Sequence, residues 1–295
     1  TQAITTPTLT LQGAAGTFTL NGAGNAITTL DANNTALTAL NFKEDSGFAV
    51  AGSNTTGDTT LESVGGTVTE TALINATGLE LLGAGGTFTL NTQANTITTL
   101  AGNTGTVRFQ DNTGFAIGTV TTVGLTTTGN TTLSSTGTVT ESAVITAAGL
   151  ELLGAAGIFT LNTQNNAITT LAGNTGTVSF QDNTGYAIGT VNTVGLTATT
   201  AATLTSTNTV TQSAAITTPT LTLTGVAGTF TLNSVNNAIT TLDADNTALT
   251  ALAFQDNTGF AVAGSNTTGN TTLSSTGAVT ETAVITAAGL ELLGA

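Results

Sequence analysis

Four near-copies of one unit of about 71 residues, followed by the start of a fifth, account for the whole chain. A Gly-x-Phe-Thr-Leu segment marks each copy, with its aromatic residue at Phe18, Phe88, Phe159 and Phe230. The copies span 1–69, 70–140, 141–211 and 212–280, and 281–295 opens the fifth. A repeat this regular predicts that each unit hides its apolar face only by stacking on its neighbours. Length alone would suggest two ordinary domains. The repeat instead predicts one continuous solenoid core.

Within a copy the apolar period is two, as in Thr87-Phe88-Thr89-Leu90, Thr106-Val107-Arg108-Phe109 and Leu150-Glu151-Leu152. Short Thr-, Val- and Ile-rich segments alternate with Gly, Asn and Asp turns, giving about nine strands per copy. Thr, Asn and Gly all disfavour helix interiors. Paired hairpins favour two-residue Asn-Gly or Asp-Gly turns, whereas the recurrent turns here read Gly-Asn-Thr-Gly and Asp-Asn-Thr-Gly. Such turns suit a chain bending round a corner. The predicted fold class is therefore all-β, a right-handed parallel β-helix with about three coils of ~24 residues per copy. At ~4.8 Å per coil each copy would rise ~14 Å, and the chain ~60 Å.

Charge is scarce. Only 6% of residues are charged, and Lys43 and Arg108 are the only cations against 16 carboxylates, for a net charge of −14. Two cations cannot neutralise a run of phosphates, so nucleic-acid binding is excluded. Attraction to anionic lipid fails for the same reason, and no apolar run is long enough for a membrane span. A parallel stack explains the deficit, because like charges ~4.8 Å apart repel. The carboxylates that do recur (Glu70 and Glu80, Glu141 and Glu151, Glu281 and Glu291) come as one pair in each second-flavour copy. The expected ~14 Å separation exceeds a Debye length of ~8 Å.

The copies have two flavours, in the order first, second, second, first, second. The first carries LDANNTALTALNF and GFAVAGSNTTG; the second carries GLELLG and LAGNTGTVRFQDNTGFAIGTV. Residues 1–84 align onto 213–295, so Ala295 is the counterpart of Ala84 in mid-module. With no methionine and no signal-peptide pattern, residue 1 is expected to lie inside a longer precursor. The absence of cysteine excludes disulfides and thiolate metal sites, and is compatible with export in an unfolded state.

Candidate chemistry is sparse. The acidic turns at Asp111, Asp182 and Asp256 are the calcium candidates, since carboxylate oxygens at a Gly turn can ligate that ion. One Asp per turn falls short of six to eight ligands, and the first copy has Lys43, Glu44 and Asp45 at this place. Asx turns account for these residues without a metal. Thr-x-Thr pairs (Thr8 and Thr10, Thr17 and Thr19, Thr138 and Thr140, Thr229 and Thr231) would form an ice-binding array only if present on every coil. Outward-facing strand threonine is the simpler account. Asp243 and Asp245 are the one close carboxylate pair of the kind a glycosidase uses, but the matching pair is Asp31 with Asn33. No catalytic residue, cofactor site or enzyme activity is assigned. Asn54, Asn130, Asn266 and Asn270 begin Asn-x-Thr sequons. Phe18, Phe88, Phe159, Phe230, Leu100, Leu171 and Leu242 are the expected core stacks.

The segments ITTLAGNTGTVSFQDN, GTVNTVGLT and NTTLSSTGTVTESAVITAAGLELLG resemble the repeats of bacterial filamentous-haemagglutinin-like exoproteins, the two-partner-secreted adhesins. The resemblance covers essentially the whole chain. It implies a β-helical shaft, export with an outer-membrane partner protein, and an extracellular or cell-surface location. The expected function is the structural shaft of an extracellular fibre or surface adhesin, partnered chiefly by itself through end-to-end or lateral stacking. The alternatives are a surface-layer, sheath or biofilm-matrix protein, or a glycan- or receptor-binding adhesin segment. For the last, a single tyrosine (Tyr186) and no tryptophan leave few aromatics to receive a sugar.

Overall fold

A computed structural model describes residues 2–294, so Thr1 and Ala295, the latter being the counterpart of Ala84, lie outside the described residues. Among those described, regular structure is all strand. The chain divides into two compact units, Thr1–Ala148 and Gly149–Ala295. Each is a parallel β-solenoid, with about 14 turns in all and stacked coils about 20 residues apart.

The alternation read in the sequence is what builds the wall. In Ala39–Lys43, Leu40 and Phe42 point inward and are buried, while their neighbours are half-exposed. The next coils repeat the placement in register. Phe18 pairs with Leu40, Leu40 with Thr59 and Thr59 with Leu79, all parallel. In the second unit Val210, Phe230, Leu252, Thr271 and Leu290 form a comparable column. The antiparallel bridges Thr119–Val123 and Thr190–Val194 lie outside the strands, in surface loops. Turning a corner demands little departure from extended backbone, so Ile74–Asp111 continues as strand through several bends. Gly83 occupies one such bend at φ 114°, where a Cβ would lie 2.0 Å from the Ser63 carbonyl oxygen.

The coil is shorter than the expected ~24 residues because its corners use so few. A repeat of about 71 residues therefore winds about three and a half coils and rises ~17 Å. Equivalent positions in successive repeats then fall half a coil out of step. Phe88 stacks on Val68, not on the column that carries Phe18 up to Leu79. The recurring glutamates also differ from expectation. Glu70, Glu80, Glu141 and Glu151 are buried, so salt screening between exposed charges is not what makes them tolerable.

Of the expected core residues, Phe88, Phe159, Phe230, Leu100, Leu171 and Leu242 are fully buried. Phe18 is half-buried; its strand Thr17–Leu20 lies in the first coils and pairs upward with Ala39–Lys43. Each repeat adds one edge-to-face aromatic pair across its acidic turn. These are Phe42–Phe48, Phe109–Phe115, Phe180–Tyr186 and Phe254–Phe260, with ring centroids 4.9–5.2 Å apart. Tyr186 is 4% exposed and its hydroxyl has no hydrogen-bond partner. Burial first, then the charge of Asp182, pushes the phenol pKa far upward. Tyr186→Phe should therefore stabilise the fold by about 1–2 kcal/mol, the cost of an unmatched buried hydroxyl. A thermal melt that leaves the variant at or below the parent contradicts this.

Candidate functional site

The acidic turn is the most elaborate polar structure in the repeat. Asp111 is fully buried. Its Oδ1 accepts from Thr113 N (2.7 Å), Thr113 Oγ1 (2.7 Å) and Gly114 N (3.1 Å). Its Oδ2 accepts from Ile97 N at 2.8 Å. One carboxylate thus closes its own Asx turn and ties it to a segment 14 residues earlier. Asp182 repeats the arrangement with Thr184 and Ile168, and Asp256 with Thr258, Gly259 and Ile239. In the first repeat Glu44 holds the place, accepting from Ser46 N and Ser46 Oγ at 3.0 and 2.7 Å. The turn needs the following glycine. Gly114 has φ 98°, and a Cβ there would lie 2.3 Å from the Thr138 carbonyl oxygen.

The three calcium candidates therefore present carboxylates whose two oxygens are already engaged by backbone and hydroxyl donors. No group of three or more His, Cys, Asp or Glu side chains suited to a metal occurs among the described residues. These positions are staples that hold a corner. They occur in different repeats and do not converge on one site.

A second buried group went unread in the sequence. Asn95 donates through Nδ2 to Leu90 O (3.2 Å) and Gln110 O (3.1 Å), and its Oδ1 accepts from Ile74 N (2.7 Å). The same bonds recur at Asn25 with Leu20, Lys43 and Ile4, and at Asn237 with Leu232, Gln255 and Ile216. Asn166 donates to Leu161 and Gln181 in the same way. One amide thereby fastens three levels of backbone. The available signal was positional: amid many drifting asparagines, one always lies five residues after the Leu of Phe-Thr-Leu.

The two flavours also gain a physical reason. Glu80 accepts from Thr60 Oγ1 at 3.1 Å and from Thr122 N at 2.6 Å. The latter lies in the loop bridged by Thr119 and Val123. Glu151 likewise receives Thr193 N (2.5 Å) and Asn192 Nδ2 (2.7 Å). A Leu-Glu-Leu segment and the longer loop of the same repeat thus belong together, since the carboxylate caps that loop's N–H groups. First-flavour repeats have no such loop. There Asn33 donates to Ala51 O at 2.9 Å, and Asn33 and Asp245 lie against Gly52 and Gly264.

Asp243 and Asp245 are neighbours at the surface. Asn246 Nδ2 donates to both oxygens of Asp243 at 3.1 Å. Desolvation first, then hydrogen bonding and repulsion from Asp243, raises the Asp245 pKa. The two carboxylates lie two residues apart on one strand, Ala238–Leu249, whereas glycoside hydrolysis uses a pair flanking the sugar. The Thr pairs do not build an extended array either. Thr17 and Thr19 pair with Ala39 and Asn41, and Thr229 and Thr231 with Ala251 and Ala253. Of the sequon asparagines, Asn130 and Asn270 are exposed, while Asn54 and Asn266 are half-buried.

Among the described residues, an open groove with a volume of about 840 Å³ lies in the first unit. Thr56, Thr77, Thr98 and Thr140 line it, with Ile97 and Phe115 in its floor. It offers hydroxyls and a shallow apolar base, and no charged side chain lines it. Tyr186, the one tyrosine, is buried and so cannot receive a sugar ring. No family model, no curated protein and no solved structure matches the chain.

Proposed function

We propose that this chain is a segment of the shaft of an extracellular bacterial fibre or surface adhesin, of the filamentous-haemagglutinin-like kind. The observation that carries the reading is the recurrence, from repeat to repeat, of buried polar groups that fasten coil to coil. A buried amide binds successive levels of backbone in each of the four repeats, and a buried aspartate does so in three of them. Each repeat adds ~17 Å of axis without adding a site. Such a design rewards length and stiffness. In this reading the partners are further copies of the solenoid and, for export, an outer-membrane secretion protein; cysteine-free composition suits passage as an unfolded chain.

Immunogold labelling of producing cells tests it. Label along thin single fibres standing off the surface is the expected result. Label over a continuous two-dimensional lattice would transfer the chain to the surface-layer or sheath class, and label confined to the cell interior would end the reading. The threonine-lined groove favours one second reading, a shaft that also holds an extended neutral glycan. Its hydroxyl lining suits such a ligand, although it lacks an exposed aromatic platform.

A further inference from the structure

Glu70 and Gln212 each end a Thr-Val-Thr strand and are the first residues of the second and fourth repeats. One side-chain oxygen of each accepts from an equivalent backbone N–H, Ser234 N for Gln212 and Thr92 N for Glu70. Gln212 Oε1 accepts from Ser234 N (3.1 Å) and Asn237 Nδ2 (2.9 Å). Its Nε2 donates to Ala214 O and Asn237 Oδ1, both at 2.9 Å. Every polar atom of this side chain is used.

Glu70 Oε1 likewise accepts from Thr92 N and Gln93 N, both at 2.8 Å. Its Oε2 is left as the counterpart of the Gln212 amide nitrogen. It is buried, has no hydrogen-bond partner, and belongs to a residue only 5% exposed. In the Gln212 corner the second polar atom is a donor with two acceptors, whereas an ionised carboxylate can only accept. No charge compensates. The strand stacked below, Ala49–Thr55, and the segment above, residues 90–98, contain no ionisable side chain, and neither does the rest of Thr67–Glu70.

We propose that Glu70 is a proton-operated latch: its carboxyl carries a proton on Oε2 and donates as the Gln212 amide does, closing the corner, which loosens when the proton leaves. Desolvation supports this, since it raises the Glu70 pKa against the lowering effect of hydrogen bonds from Asn95, Gln93 and Thr92. The sign follows from the raised value. The stabilisation is complete at pH below the unfolded-chain pKa and is lost as pH rises through the folded one. Gln212 makes its own corner, at the start of the fourth repeat, independent of pH.

Thermal denaturation of the full chain, the Glu70→Gln variant and the Gln212→Glu variant between pH 3.5 and 8 tests the latch. Glu70→Gln should melt with the parent at the acid end and above it by a few degrees at neutral pH. Gln212→Glu should acquire a fall in melting temperature toward neutral pH relative to the parent. A carbon-13 carboxyl titration of Glu70 should give a midpoint above the ordinary ~4.3. A midpoint at or below that value overturns the proposal, as does a gap between parent and Glu70→Gln that stays constant with pH.

Discussion

Asp111→Ala should destabilise the fold by about 4 kcal/mol, read as a lowered urea midpoint. The change strips the acceptor from three backbone donors, Ile97, Thr113 and Gly114, at a residue with no exposed surface. Each buried unmatched donor costs ~1–3 kcal/mol, and partial relaxation of the turn offsets some of the total. Asp111→Asn should fall between, at about 2 kcal/mol, because it keeps one oxygen but sets an amide nitrogen against a backbone donor. Calcium or chelator should leave the parent midpoint unmoved. A calcium-dependent midpoint that Asp111→Ala abolishes would make the turn a metal site.

Asn95→Ala should cost about 3 kcal/mol, through loss of the bonds to Ile74 N, Leu90 O and Gln110 O at a residue 1% exposed. Hydrogen exchange gives the local readout. The Ile74 amide should lose protection while amides of unconnected coils keep theirs. Asn95→Asp should be worse than alanine, because it presents an oxygen to two carbonyl oxygens. A wild-type exchange pattern in the alanine variant would show that the amide fastens nothing.

Much of the architecture was legible because a solenoid writes its geometry into local pattern. Period-two segments such as Thr87-Phe88-Thr89-Leu90 named the inward residues, and the 71-residue spacing named the module. The coil length was not legible. Strand count per repeat says how often the chain bends, but not how many residues each corner consumes; long strands such as Ile74–Asp111 consume almost none. Hence about three and a half coils per repeat where about three were expected. The acidic turns were legible as Asx turns from Asp111-Asn112-Thr113-Gly114. Their second bond, to Ile97, was not, since it depends on register between coils. Asn95 was hidden for another reason: among so many asparagines, composition cannot single out the one that points inward. Its fixed offset from Leu90 could have done so.

The side-by-side, same-direction run of successive coils carries every other statement about this chain, and cysteine pairs test it directly because the sequence has no native thiol. Thr67 and Thr69 are exposed, and they pair in register with the half-exposed Thr87 and Thr89. Under mild oxidation the double variants Thr67→Cys/Thr87→Cys and Thr69→Cys/Thr89→Cys should both close intramolecular disulfides, and the crossed pairs 67/89 and 69/87 should not. Closure of the crossed pairs with failure of the matched ones would mean antiparallel strands and would contradict the solenoid.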